Sequence, residues 1–243
     1  MMSMIHVARN VLLSGVLISL LVPSTAGAQS DELHLDIEVG TDVPISIGGM
    51  VSLQVPYGIR LSTGLGAMPA GFVTLINEVV TSLDGYGDAT AALVEQTLQN
   101  SLIWRTHIGW IADFGLYVDA GYTLATLGGG SSVEDIIVGI VGVEPSSRGA
   151  AREYDIESTL HMLDIEVGWK GVFWDAFIVR AAVGFSGTIA STTTVQQRFS
   201  VNGPVMQRGI DEFERFVANY LDETYQTYVF TPVFTVALGY RIF

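Results

Sequence analysis

The sequence contains no cysteine, and this absence excludes a disulfide framework and any cysteine-ligated metal site. Positive charge is also scarce, because 11 Lys and Arg face 25 Asp and Glu and leave a formal net charge of −14. Phosphate backbones are bound by basic surfaces, so we expect no nucleic-acid partner.

Long hydrophobic runs are missing after residue 28, although hydrophobic residues make up 49% of the chain. A transmembrane helix needs about 20 consecutive apolar residues, and Gly, Asp, Glu or Arg interrupts every later run before that length. A lipid-facing β-barrel explains an apolar composition without such a helix, because only alternate residues of each strand contact lipid.

The first 28 residues have the three parts of a secretory signal peptide. Arg9 precedes an apolar stretch over residues 11–22, and Ala26-Gly27-Ala28 matches the small-x-small cleavage pattern. We predict cleavage before Gln29, which leaves residues 29–243 as one mature β-barrel domain. An uncleaved membrane anchor is the alternative.

Apolar and polar residues alternate with a period of two in eight segments of the mature chain, as expected of half-buried strands. The segments cover residues 33–39, 51–55, 59–65, 102–110, 116–124, 163–169, 177–185 and 230–242.

The connections between these strands alternate in length. Tight connections are predicted at 56–58, 111–115 and 170–173, and long ones at about 68–100, 128–156 and 195–222. Short periplasmic turns and long outer loops are typical of bacterial barrels. The predicted fold class is therefore all-β, an eight-stranded antiparallel transmembrane barrel with three long outer loops.

The last strand has the most specific motif. Residues 238–243 read Leu-Gly-Tyr-Arg-Ile-Phe, and this alternating strand with a terminal Phe resembles the last strand of the OmpA, OmpX and OmpW type of eight-stranded outer-membrane barrel. The resemblance implies a bacterial outer-membrane location, contact with outer-membrane lipid, and recognition by the barrel-assembly machinery. Tyr240 and Phe243 would form that assembly signal.

Charged residues occupy the inward positions of the predicted strands. Both signs are nearly balanced, so we expect ion pairs that fill a structural lumen, with a narrow gated or proton-conducting path as the alternative. We expect His107 to pair with Asp119 or Glu166. The predicted network contains Asp36, Glu38, Arg60, Arg105, His107, Asp119, Asp164, Glu166, Arg180 and Arg241.

Catalysis is not expected. The mature chain has only His34, His107 and His161, and none has both a nucleophile and an orienting third group at hand. No His, Asp or Glu group has the spacing of metal ligands, so the sequence predicts neither a metal nor a cofactor.

The long loops are apolar with helical periodicity, and each predicts an amphipathic helix. These helices could pack on one another as a cap, enclose a pocket for a small hydrophobic ligand, or dock a partner or the outer leaflet. The residues predicted to form this apolar loop cluster are Phe72, Ile76, Ile137, Ile140, Phe213 and Phe216.

Two functions are compatible with this pattern. The first is a structural or surface-interaction role, in which charges plug the lumen and helices cap it. The second is a narrow channel or uptake path for a small or hydrophobic solute. A soluble secreted barrel is a third possibility, and it would place Asp36, Arg105 and Arg180 on the surface.

Overall fold

The computed structural model describes residues 33–82, 100–132, 153–200 and 203–243. The predicted signal peptide lies outside the described residues, and so do Ile137 and Ile140 with the helix predicted around them.

Eight antiparallel strands form a closed barrel in which each strand pairs with its sequence neighbours and the last pairs with the first. This confirms the predicted eight-stranded antiparallel barrel. The strands are β1 (His34–Val43), β2 (Ser46–Val55), β3 (Ile59–Ala67), β4 (Asn100–Ile111), β5 (Leu116–Ser132), β6 (Glu153–Phe173), β7 (Phe177–Gln197) and β8 (Phe230–Arg241).

The strands are joined by residues 56–58, 112–115 and 174–176 at one end of the barrel, and the half next to this end is named the lower barrel. Apolar side chains cover the outside of the lower barrel, and polar side chains fill its inside. Alternation along each strand causes this division, because successive side chains point to opposite faces. The exposed apolar face includes Ile37, Val39, Val51, Leu61, Ile108, Val118, Leu163, Ile165, Val183, Phe234, Val236 and Leu238.

The two ends of the barrel differ. At one end, which we name the turn end, strands are joined by residues 56–58, 112–115 and 174–176. The predicted tight turn at 170–173 is wrong, because these residues complete β6 and pair with β7. At the other end, the helix end, residues 44 and 45 join β1 to β2, and the longer connections include two helices.

Strands β5, β6 and β7 extend well beyond their predicted limits at the helix end. The prediction stopped early because the alternation reverses there. On β6, Ile156 and Leu160 point inward and are buried, whereas Glu157 faces outward. This extension therefore has the polarity of a soluble sheet, with an apolar inner face.

Helix α1 (Ala70–Ser82) and helix α2 (Pro204–Tyr228) lie at the helix end. Helix α2 buries Val217, Leu221 and Tyr225 in a cluster that includes Ile156 and Val195 of the extended strands. The most extensive contacts of α2 are with β7. None of the described helices is long and apolar enough to cross a membrane.

Hydrogen bonds fix α2 beside the upper part of β7, where pairing with β8 ends at Gly187. The Thr193 hydroxyl donates to Asp222 Oδ1 at 2.8 Å, and the backbone N–H of Gln197 donates to Glu214 Oε1 at 2.9 Å. The helix thus covers a strand edge that none of the described strands covers, which removes a site for unwanted strand pairing.

Replacing Leu221 by Ala should weaken the docking of α2 by about 2–5 kcal/mol, because it leaves a cavity in a fully buried contact. Hydrogen exchange of the α2 amides measures this loss. The matched control is Phe216→Ala, since Phe216 lies on the same helix but is 55% exposed. Equal exchange in the two variants would contradict the packing described above.

Candidate functional site: the charged lumen

All ten side chains predicted for the lumen line the barrel interior. Nine are buried, and Arg241 is partly exposed near the turn end. This placement overturns the soluble-barrel alternative, which required Asp36, Arg105 and Arg180 on the surface. The pairing of these groups divides the lumen into three layers along the barrel.

The layer nearest the turn end is centred on Asp36. Its carboxylate accepts a hydrogen bond from Arg241 Nε at 3.0 Å and forms an ion pair with Lys170. The Lys170 ammonium also lies 3.8 Å from Glu38 Oε1 and so connects this layer to the next. These charges come from β1, β6 and β8.

The middle layer is centred on Arg180. Its Nε donates to Glu38 Oε2 at 2.6 Å, and its Nη1 donates to Glu166 Oε1 at 3.2 Å. The same Nη1 donates to the Tyr117 hydroxyl at 3.1 Å, and that hydroxyl donates to Glu166 Oε1 at 3.2 Å. One guanidinium therefore bridges carboxylates of β1 and β6 across the lumen, a geometry that its forked donors favour.

Arg60 completes the middle layer. It forms an ion pair with Asp119 and lies 3.8 Å from Glu38. Its guanidinium carbon also lies 4.9 Å from the centre of the Tyr117 ring, within the range of a cation–π contact. Arg60 and Arg180 thus share Glu38, which reduces the repulsion between two buried cations.

The layer nearest the helix end contains Arg105. Its Nη1 lies 2.5 Å from Asp42 Oδ2, and its Nη2 lies 3.3 Å from His107 Nε2. His107 Nε2 is 3.6 Å from Asp164, so the expected pairing with Asp119 or Glu166 is wrong. Asp119 and Glu166 are instead held by the arginines of the middle layer.

Three charged or aromatic side chains, Asp42, Tyr117 and Lys170, also belong to the network and were not predicted from the sequence. Asp42 and Tyr117 both point inward on their strands. Asp42 lies beyond the end of the first predicted segment, and Tyr117 was not considered because the predicted network contained only charged residues and His107. Lys170 was assigned to a turn. The parity of Asp164, Glu166 and Gly168 would have placed Lys170 in the lumen if β6 had been extended by four residues.

Glycines make room for these side chains. A Cβ atom on Gly121 would lie 2.1 Å from Cδ2 of His107, and one on Gly109 would lie 2.0 Å from Oδ1 of Asp119. Each glycine thus lies opposite a large polar group on the neighbouring strand. The high glycine content is in part a requirement of lumen filling.

The predicted apolar loop cluster is only partly present among the described side chains. The Phe213 ring packs beside the buried cluster, with its centre 5.6 Å from the centre of the Tyr154 ring. Phe216 instead lies on the exposed face of α2. Phe72 is half-buried on α1, and Ile76 lies on the same helix. Val73 of α1 enters the cluster.

Among the residues that the structure describes, no group of three His, Asp or Glu side chains could hold a metal ion. The described His161 is on the outer face of β6, where its Nδ1 lies 2.5 Å from the Tyr122 hydroxyl. Its position agrees with the outward parity expected from the sequence.

No family model matches the chain, and no curated protein matches it. Among solved structures it is similar to the N-terminal β-barrel domain of OprF from Pseudomonas aeruginosa, with 9% identity, 88% and 99% of the two chains covered and a TM-score of 0.40. It is also similar to CarO of Acinetobacter baumannii, with 15% identity, 85% and 96% of the two chains covered and a TM-score of 0.37. A major outer membrane protein of Thermus thermophilus is similar with 10% identity, 86% and 99% of the two chains covered and a TM-score of 0.42.

Replacing Arg180 by Met should destabilise the barrel by about 3–5 kcal/mol, because two buried carboxylates lose their shared cation. Urea unfolding of the protein in lipid vesicles measures the change. Arg198→Met is the matched control, since the Arg198–Asp155 pair is exposed and should contribute at most about 1 kcal/mol. An equal effect of both substitutions would rule out the proposed importance of burial.

Replacing Gly121 by Ala should lower stability by about 1–3 kcal/mol, because the new methyl group displaces the buried His107 ring. Gly209→Ala is the control. A Cβ there meets no atom within 4 Å and lies in helix α2, where Ala is favoured over Gly. The same unfolding experiment should show a loss for the first variant only.

Proposed function

We propose that the chain is an outer-membrane β-barrel protein whose lumen is sealed by ion pairs and whose role is structural or depends on its outer surface. The observation that carries this proposal is the Arg180 bridge between Glu38 and Glu166 across the lumen. This bridge stabilises the barrel from inside while its outer face remains apolar.

The outer face supports a membrane location. Trp110, Trp169 and Tyr240 are exposed beside the turn end, and Trp104 is exposed nearer the helix end. Apolar residues occupy the outward positions between these two levels. Aromatic girdles on either side of an apolar band are typical of transmembrane barrels.

The helix end is proposed to face the outside of the cell, and the tight turns to face the periplasm. Two observations support this orientation. Most outward side chains of the β6 and β7 extensions are polar, as Glu157 and Thr194 illustrate, which suits an aqueous surface. All three connections at the turn end are short, and three of the four at the helix end are long, which matches the periplasmic and outer sides of bacterial barrels.

Export and assembly complete the proposal. Residues 1–28 would direct secretion and be removed after Ala28. Tyr240 is exposed on β8 and Phe243 is exposed two residues after its end. The backbone N–H of Leu35 donates to the Phe243 carbonyl at 3.0 Å. The assembly machinery would read this strand before it pairs with β1.

A sealed lumen favours the structural or surface role over a solute path. Arg60, Arg105, Lys170 and Arg180 are each within ion-pair distance of a carboxylate, and α2 packs over the helix end of the interior. A solute path would require both the ion pairs and the helix to move.

Two measurements on the refolded mature protein test this proposal. Unboiled protein should migrate differently from boiled protein on a denaturing gel, because a closed barrel resists detergent. In a planar bilayer, the folded protein should produce no unitary conductance steps. Reproducible steps would replace the sealed-lumen proposal by the channel alternative, and identical gel migration would count against the membrane barrel itself.

A further inference from the structure

We propose that Tyr57, Phe114 and Trp174, here named the turn-tip aromatics, insert into the lipid interface at the turn end and fix the depth of the barrel in the membrane. This inference rests on the proposed membrane-barrel function. It concerns a surface beyond the strands, since each of these residues lies at the tip of a tight turn.

The turn-tip aromatics are the most exposed rings of this end. Tyr57 and Phe114 are each 71% exposed, and Trp174 is 86% exposed. The tight turn at the helix end shows the opposite choice, because its Ile45 is 2% exposed and packs in the buried cluster. A tight turn of this barrel can thus bury an apolar side chain, whereas the turns at the turn end leave their aromatic side chains exposed.

Two of the turn-tip aromatics have an unfavourable backbone conformation. Tyr57 has φ 68° and Trp174 has φ 52°, in the left-handed region that Gly and Asn occupy more readily. A bulky residue is sterically strained in this conformation. A turn that only joined two strands would be more stable with Gly or Asn, so the aromatic side chains serve another purpose.

Neighbouring indoles hold two of the tips in place. The Trp110 Nε1–H donates to the Tyr57 carbonyl at 3.1 Å, and the Trp169 Nε1–H donates to the Phe114 carbonyl at 3.0 Å. Both indoles belong to the exposed aromatic girdle. The tips are therefore joined directly to the surface that faces lipid.

The third tip is held by ring contacts. The centre of the Trp174 ring lies 6.3 Å from the centre of the Phe173 ring and 6.3 Å from that of the Phe177 ring. These two rings are themselves exposed at the end of the strands. Trp174 thus extends an aromatic surface that begins on the barrel wall and continues past its last strand pair.

Lipid is the occupant that fits this surface. Tyr57 and Trp174 each have a ring with one polar edge, and such rings prefer the level of lipid headgroups, where ring and edge are both accommodated. Phe114 contributes only its apolar ring. Asp113 and Asp175 are exposed beside the tips and should remain in water. The pairing of ring and carboxylate in two of the three turns therefore limits insertion to the headgroup level. Continuity with the apolar wall favours lipid over a protein partner.

Fluorescence quenching tests the inference. The chain has four tryptophans, so Trp104→Phe, Trp110→Phe and Trp169→Phe together leave Trp174 as the only emitter. In phosphatidylcholine vesicles whose acyl chains carry bromine near the headgroups, Trp174 should lose most of its emission. Its emission should also shift to shorter wavelength and be protected from aqueous iodide.

The matched control retains Trp104 alone, on the exposed strand face. Failure of brominated lipid to quench Trp104 would refute the membrane barrel itself. Quenched Trp104 together with iodide-accessible Trp174 would overturn only the inference and indicate that the tips face water or a periplasmic protein. If the triple variant does not fold, the difference in emission between the native chain and Trp174→Phe gives the same readout.

Discussion

A barrel wall with an apolar outer face forces its polar half inward, and the structure depends on how the charges of that half are neutralised. Strand alternation sends every second side chain into the lumen, where an unpaired charge would be severely destabilising. The charges pair across the barrel, and Glu38 with Arg180 joins residues 142 positions apart. Such pairs form only when β1 closes against β8, so closure of the wall and neutralisation of the lumen stabilise each other.

The same chain reverses its polarity where the wall leaves the proposed membrane. In the lower barrel, β6 places Asp164 inward and Leu163 outward; above His161, it places Leu160 inward and Thr159 outward. Helix α2 is the consequence, because an apolar inner face in water must be covered. Each outer face thus has the polarity that the proposed membrane position requires at that height.

The alternation of apolar and polar residues was sufficient to predict the eight strands, because parity is local, and it assigned ten side chains to inward positions. Partners could not be predicted in this way. His107 lies near Asp164 because of the register between β4, β5 and β6, which depends on all the intervening strand pairs. The extensions of β5, β6 and β7 at the helix end were missed for a related reason. A search for outward apolar residues fails where the outward residues are polar. Phe216 shows the limit for helices, because helical periodicity does not say which edge of an apolar stripe is covered.

The filling of the lumen also determines where recognition can occur. An eight-stranded wall leaves space only for its own side chains, and here glycines such as Gly109 and Gly121 are needed even to seat those. The described lumen arginines and Lys170 each have a carboxylate partner, so binding an anion there would require breaking a buried pair. Removing one member of such a pair costs several kcal/mol, which a weak solute contact does not offset. Surfaces outside the lumen require no such break: the exposed face of α2 and the turn-tip aromatics are already formed and accessible. Interaction with other molecules is therefore expected at the two ends of this barrel, and its interior serves to hold those ends in place.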